Sequence, residues 1–279
     1  MGNIYYSQTY TGNPLVVQTF TPATRADWVN SVVSALLAAG WTNISGSGTD
    51  RVLGSGTTPD NLKAKVRIWD PGSGNCARVA LRNWNETLTG DNSPAFCRPG
   101  LTYKIVASAY QFAIWVPGST ADRTMVFCSV PKLEPLLTVP IWEAAVLNFN
   151  GNSDTGGQTS LRNAIIQSGS PTVNQILNGM MLTINANAEA GLALKTLAQY
   201  NQTTGLTWMD DSVDVMPACI RYSVNTSQPG KYIGYLWDAL LVFAPFAADA
   251  VISWDNKNWI AFTNNNISSW WGTLCLLVQ

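Results

Sequence analysis

One stretch near the start of the chain repeats its apolar residues with the period of an α-helix. Between Thr24 and Trp41 they recur every three or four positions, which places them on one helix face. Thr24 suits an N-cap, and Asp27 stands where the second residue of a capping box belongs. Gly40 can adopt the left-handed backbone conformation that commonly ends a helix, and Trp41 can fold back onto the last turn. The predicted apolar face consists of Trp28, Val29, Val32, Val33, Leu36 and Leu37.

Most other apolar positions alternate with a period of two, which is typical of half-buried strands. Two polar stretches, residues 117–122 and Asp255 to Asn258, indicate hairpin turns between such segments. The predicted strand segments are 63–70, 76–84, 102–116, 123–133, 216–224, 231–246, 249–255, 258–264 and 271–279.

The section between the two strand-rich parts has a weaker pattern. Residues 136–202 contain polar loops and suggest helical pieces, of which 187–200 is the clearest. We therefore predict an α+β fold, in which the amphipathic helix packs on an antiparallel β-sheet and the C-terminal half is β-rich. The predicted organisation is an N-terminal arm (1–21), a helix-plus-sheet lobe (22–140), a loop and helix insertion (141–205) and a β-rich C-terminal lobe (206–279). The two lobes alternatively form one continuous fold.

Charge is scarce and balanced along the chain. The 279 residues include 16 basic and 17 acidic ones, only 12% in all, and no stretch clusters Lys and Arg on one face. We therefore expect no nucleic-acid partner. Asp238, Pro245 and Asp249 interrupt the longest apolar run, so we expect no membrane span. The N-terminus lacks the pattern of a signal peptide, which favours a chain made in the cytoplasm.

The residue types also limit the chemistry. The chain has no histidine, which excludes a Ser-His-Asp triad, a Cys-His pair and a His-ligated metal site. Its five cysteines lie far apart without a CxxC motif, so we interpret them as buried apolar residues of a reducing cytosol. We expect no catalytic residue, metal or cofactor.

Two short motifs resemble functional sites, but each also has a structural explanation. Asp210, Asp211 and Asp214 lie beside Trp208, as in a cation site or a glycosidase carboxylate pair, but a solvated turn explains them better. Ser129 and Lys132 match the S-x-x-K motif of penicillin-binding enzymes. That motif opens a helix, whereas this one follows a β-like run and contains Pro131.

Aromatic and amide residues near the C-terminus are candidates for a binding surface. An exposed tryptophan beside amide side chains can stack on a sugar or anchor a protein interface. Packing inside a sheet is the competing explanation. The candidate contact residues for a glycan or protein partner are Trp259, Asn264, Asn265, Trp270 and Trp271.

Three segments together resemble uncharacterised virion structural proteins of tailed bacteriophages. These are ADWVNSVVSALLAAGWT (residues 26–42), YKIVASAYQFAIWVPG (103–118) and GYLWDALLVFAPFAADAVISWDNKNWIAFTNN (234–265), which leads into GTLCLLV. The resemblance implies a non-enzymatic component of the tail, neck or baseplate, made in the bacterial cytoplasm, and it carries over no catalytic residue. Its partners would be copies of itself and other virion proteins.

Several functions fit these observations. The first is symmetric assembly into a virion, with the N-terminal arm and the loop around 150–160 reaching neighbouring subunits. The alternatives are a tail-tip module that binds a host receptor or glycan, a head decoration protein, and a glycan hydrolase using Asp210 or Asp214.

Overall fold

The computed structural model describes residues 15–58, 62–82, 92–117, 125–133, 141–152, 158–168, 184–185, 215–222, 231–242, 249–254, 256–262 and 273–278. These stretches contain one helix, α1 (Arg25–Ala38), and eighteen strands. The strands are β1 (Val16–Phe20), β2 (Thr42–Ser47), β3 (Asp50–Gly54), β4 (Lys65–Trp69), β5 (Ala77–Arg82), β6 (Asn92–Cys97), β7 (Tyr103–Ala107), β8 (Gln111–Trp115), β9 (Met125–Ser129), β10 (Pro131–Leu133), β11 (Ile141–Asn152), β12 (Gln158–Ser168), β13 (Ile184–Asn185), β14 (Val215–Tyr222), β15 (Lys231–Val242), β16 (Val251–Trp254), β17 (Lys257–Phe262) and β18 (Thr273–Leu277).

The strands form three antiparallel sheets, named here I, II and III. Sheet I has the strand order β1-β7-β8-β9-β11-β12-β13. Sheet II has the order β2-β3-β4-β5-β6, so each of its strands pairs with the next one along the chain. Sheet III has the order β10-β15-β18-β17-β16, and β14 also pairs with β15.

Both ends of α1 are closed by the residues that the sequence indicates. The Asp27 amide donates to Thr24 Oγ1 at 3.1 Å and the Thr24 amide donates to Asp27 Oδ2 at 2.9 Å, which completes the capping box. At the other end Gly40 has a φ of +97°, and the Trp41 amide donates to the Leu36 carbonyl at 2.9 Å. These contacts form a Schellman motif, so the predicted helix and both of its ends are confirmed.

The buried face of α1 differs from the predicted face at one position. Trp28, Val29, Val32, Val33 and Leu36 are buried as predicted. Leu37, however, is 43% exposed, and the small Ala35 takes a buried place instead. Including Leu37 in the buried face was wrong.

The predicted α+β fold class is wrong, because strands dominate the described residues and form three antiparallel sheets. The helix does not cover a single sheet. It contacts β1 and β7 of sheet I as well as β4 and β5 of sheet II. Residues 141–152 and 158–168, which the sequence suggested to be loops and helical pieces, are the long strands β11 and β12. Strand β11 pairs on both sides, with β9 and β12, and this pairing outweighs its weak helical pattern.

Two predicted strand segments are each divided in the structure. Residues 102–116 form β7 and β8, joined by the tight turn Ser108–Tyr110, in which the Ser108 amide donates to the Gln111 carbonyl at 2.8 Å. Residues 123–133 contain β9 of sheet I and β10 of sheet III, on either side of Val130. Both segments are mainly apolar and contain no glycine, so the sequence hides both breaks.

The Ser108–Tyr110 turn is a meeting point for distant parts of the chain. Trp41 Nε1 donates to the Ser108 carbonyl at 2.8 Å, and the Gly56 amide donates to the Ala109 carbonyl at 2.8 Å. The Val130 amide donates to the Tyr110 carbonyl at 2.9 Å. The turn therefore joins the end of α1, the connection from β3 to β4 and the crossing from sheet I to sheet III.

The predicted turn near the C-terminus is confirmed as a hairpin. Trp254 pairs with Lys257 at the ends of β16 and β17, so two residues connect the strands. Asn256 has a φ of +57° there, a conformation that Asn tolerates better than most residues.

One main apolar core links the helix with all three sheets. Sheet III contributes Ala239, Ile260 and Leu276 to this core. A smaller cluster of Trp259, Ala261, Cys275 and Leu277 belongs to sheet III alone. Sheet I runs through the arm, the first lobe and the insertion of the predicted organisation, whose boundaries stay a prediction.

Within the described residues, no helix combines the length and apolar character needed to cross a membrane.

Candidate functional site

The predicted contact residues at the C-terminus are only partly described. Asn264, Asn265, Trp270 and Trp271 lie outside the described residues. Trp259 lies on β17, is only 3% exposed, and donates from Nε1 to the Trp254 carbonyl at 3.2 Å. Its role as a glycan or partner contact stays a prediction. The burial of Trp259 argues against this role, because little of the ring is accessible.

The candidate chemical motifs offer no assembled reaction centre among the described residues. Asp210, Asp211 and Asp214 lie outside those residues, so the cation-site and hydrolase predictions stay open. No group of three His, Cys, Asp or Glu residues in the described part of the chain can hold a metal ion. Ser129 is fully buried at the end of β9 and bonds to Gln111 Oε1 at 3.4 Å, so it does not open a helix as an S-x-x-K nucleophile does.

The described cysteines are buried thiols outside any disulfide, as the sequence indicated. They are Cys76, Cys97, Cys128 and Cys275. Burial raises the pKa of Cys275 to about 12 and that of Cys128 further still. Burial also raises the pKa of Cys97, helped by the neighbouring Cys76. Thiols with such pKa values carry little thiolate at neutral pH and make poor nucleophiles.

Sequence reasoning missed a cationic face on sheet II. The register pairs Lys65 with Arg82 and Trp69 with Arg78, which places these side chains and Arg67 on one face. Lys65 and Arg82 are each only 6% exposed. Only the strand register, which the sequence alone does not give, brings the basic residues of β4 and β5 together.

One partly exposed member of this face is already neutralised. Arg67 donates to both carboxylate oxygens of Asp50, at 2.8 and 2.6 Å, and its guanidinium lies 4.5 Å from the Trp69 ring centre. The hydrogen bond from Arg67 holds the pKa of Asp50 below its usual value. Burial and pairing leave little exposed charge for a phosphate backbone, and the prediction of no nucleic-acid partner stays a prediction.

At one end of each sheet lies a strand that has a described neighbour on one side only. In the described part of the chain, β1 pairs with β7, β2 with β3, and β16 with β17. None of these three edge strands contains a charged residue or proline. Lysine, proline and bulges are the usual devices that prevent edge strands from pairing with other chains. Only β2 has such a device, a register shift between Asn43 and Ser45.

Exposed apolar residues concentrate on these edge strands. Of the four large apolar side chains that are exposed among the described residues, three lie there: Val17 on β1, Ile44 on β2 and Val251 on β16. Their exposed fractions are 47%, 44% and 61%. The fourth, Leu37, lies on α1. An edge with open backbone groups and a β-branched side chain is a template for pairing with a further strand.

Sheets I and III are joined by polar contacts. Trp115 Nε1 donates to Asp249 Oδ1 at 2.9 Å, and Lys104 Nζ lies 3.5 Å from the same oxygen. On the other side of the junction, Gln111 Nε2 donates to the Asp238 carbonyl at 3.2 Å. Asp238 and Asp249 both have positive φ, +48° and +66°. The sequence contained Asp238 and Asp249 only as interruptions of an apolar run, and no local pattern marks them as junction residues.

No protein-family model matches the chain, and no curated protein matches it either. The resemblance to virion structural proteins of tailed bacteriophages therefore stays a prediction.

Proposed function

We propose that this chain is a non-enzymatic structural subunit that assembles with copies of itself through the edges of its β-sheets. The observation that carries this proposal is the set of uncharged edge strands β1, β2 and β16, each with an exposed β-branched residue. An isolated soluble domain usually blunts such edges. In an assembly the same edges are paired or covered, and their backbone groups gain partners.

The proposed setting is the virion of a tailed bacteriophage, in the tail, neck or baseplate. This part of the proposal rests on the resemblance of three segments to such proteins. The scarcity of charge supports it, because a surface with few charges repels neighbouring copies weakly. The partners would be further copies of the chain and other virion proteins, met after synthesis in the bacterial cytoplasm.

The proposal is tested by placing lysine on the three edges at once. In the variant Val17→Lys, Ile44→Lys, Val251→Lys, the added charges oppose strand pairing and should shift the full chain from oligomer towards monomer. Sedimentation velocity or light scattering over a range of concentrations measures this shift.

Leu37→Lys is the matched control. Leu37 is 43% exposed, much like Val17 and Ile44, but it lies on α1 rather than on a sheet edge. The control should leave the assembly unchanged. A wild-type chain that stays monomeric at all concentrations, or a triple variant that assembles like the wild type, would overturn the proposal.

A further inference from the structure

The edge strands β1 and β16 belong to different sheets, but Lys104 brings them to one side of the molecule. In the register of sheet I, Lys104 on β7 lies directly opposite Thr19 on β1. Lys104 Nζ in turn lies 3.5 Å from Asp249 Oδ1, and Asp249 stands just before β16, which begins at Val251. Lys104 therefore reaches from beside one edge strand to the start of the other.

The exposed residues of β1 lie on the face of sheet I that meets sheet III. Residues directly opposite each other in an antiparallel pair share a face, so Thr19 shares its face with Lys104. Val17, two residues earlier on the same strand, also lies on this face. Trp115 lies opposite Lys104 there and donates from Nε1 to Asp249 Oδ1, which fixes the start of sheet III over this face.

Val251 lies on the corresponding face of sheet III. It pairs with Ile260, which is buried in the apolar core shared by the helix and the three sheets. The Val251 side chain therefore lies on the side of sheet III that faces this core. Exposed residues of both edges thus flank the ion pair that joins the two sheets. We name this region the two-edge surface; it consists of Val17, Thr19, Lys104, Asp249 and Val251.

We propose that the two-edge surface docks on the same surface of a second copy of this chain, about a two-fold axis that sets β1 of each copy against β16 of the other. This inference rests on the proposed function, which is self-assembly through sheet edges. It adds which edges form a dimer and how they face each other. In such an isologous interface, each contact occurs twice.

The charges of the two-edge surface favour this arrangement. Strands β1 and β16 carry no charged residue, so their pairing opposes no like charges. Lys104 and Asp249 are both partly exposed, with Lys104 beside β1 and Asp249 beside β16. When β1 faces β16, Lys104 approaches Asp249 of the second copy. If β1 faced β1 instead, each of these charges would approach its own kind, which is unfavourable.

The size of the edges also favours a surface that uses both of them. A stable interface buries about 1,200–2,000 Å² in total. Strand β1 has five residues and β16 has four, so one edge covers only part of such an interface. The two-fold dimer contains two strand pairs and covers the exposed side chains of Val17 and Val251 in both copies.

Lysine variants of the full chain separate the two-edge surface from the third edge, β2. Val17→Lys combined with Val251→Lys should abolish the dimer in sedimentation velocity, because the charges oppose strand pairing. Ile44→Lys should still form the dimer, since β2 lies outside the surface and a register shift between Asn43 and Ser45 interrupts its pairing. If Ile44→Lys alone removes the dimer, the two-edge surface is not the interface, although assembly through edges stands. A wild-type chain that is monomeric at all concentrations contradicts both proposals.

Cross-linking tests which edges face each other. Chains carrying Val17→Cys are mixed with chains carrying Val251→Cys at a concentration where the dimer dissociates, then concentrated and treated with a short bismaleimide that joins two thiols. The mixture should give cross-linked dimer. Each variant alone should give only the background of the wild type, whose described cysteines are buried. Ile44→Cys is the matched control: Ile44 is about as exposed as Val17, and this variant should not cross-link to Val251→Cys.

Two results would overturn the arrangement while leaving the proposed function intact. One is cross-linking of like variants in place of the mixture, which would mean that β1 faces β1 or that β16 faces β16. The other is a wild-type dimer in which the mixture gives no cross-link above the background. If Val17→Cys does not fold, Thr19→Cys takes its place, because Thr19 is exposed on the same strand.

Discussion

Leu36 and Leu37 are neighbours in α1, but only Leu36 is fully buried, whereas Leu37 is 43% exposed. Leu36→Ala should lower the free energy of unfolding by about 2–5 kcal/mol, because it removes buried contacts and leaves a cavity. Leu37→Ala makes the same chemical change on the surface and should cost under about 1 kcal/mol. Urea denaturation measures both. Equal effects would mean that this face of α1 is not in the core.

At the residue scale, the sequence predicts a contact well when the residues that make it are close together in the chain. Thr24 and Asp27 satisfy each other within one turn, so the sequence predicts their contact correctly. The exposure of Leu37 depends on which strands lie beside α1, and the apolar period cannot show this. The Asp238 carbonyl accepts its hydrogen bond from Gln111, which is far away in sequence and lies in another sheet.

At the element scale, Gly40 controls how α1 ends. A Cβ added at Gly40 would lie 3.5 Å from the Ala109 Cβ, an ordinary contact, so the cost of Gly40→Ala is conformational. At a φ of +97° we expect Gly40→Ala to lower the free energy of unfolding by about 1–2 kcal/mol. Gly40→Asn should cost less, because Asn adopts left-handed conformations more readily. Thermal denaturation of both variants checks this; an alanine variant as stable as the wild type would contradict it.

Elements with local start and stop signals are the ones that the sequence predicts well. Helix α1 and the β16–β17 hairpin have such signals in Thr24, Gly40 and Asn256. Strands β11 and β12 lack such signals. Their conformation is set by their pairing with each other and by the pairing of β11 with β9. A mixed apolar and polar segment of this kind adopts the conformation that its neighbours impose.

At the scale of the whole molecule, Asp249 holds sheet III to sheet I. Asp249→Ala leaves the Trp115 indole N–H without its acceptor and should cost about 1–3 kcal/mol. Alanine at a φ of +66° adds strain to this. Asp249→Asn keeps an acceptor and should cost less. Lys104→Met removes only a partly exposed ion pair of 3.5 Å and should cost under about 1 kcal/mol.

Chemical denaturation of these three variants gives the comparison. If Lys104→Met costs as much as Asp249→Ala, the ion pair rather than the indole hydrogen bond holds the junction.

The arrangement of the sheets could not be predicted from the sequence. Most strands lie where the alternating pattern places them, but that pattern does not assign a strand to a sheet. Strands β9 and β10 are separated only by Val130 and yet belong to different sheets. An edge strand is likewise defined by having a described neighbour on one side only, and this is a property of the whole arrangement.

The Ser108–Tyr110 turn has a consequence for the order of folding during synthesis. Partners from earlier in the chain, Trp41 and Gly56, leave the ribosome first and can bind the turn at once. Sheet III reaches the adjoining β8 through Asp238 and Asp249, far along the chain, and contacts of such sequence separation form slowly. A nascent chain that ends before β15 therefore exposes the junction side of β8, and this uncovered strand is where a chaperone would bind or aggregation would begin.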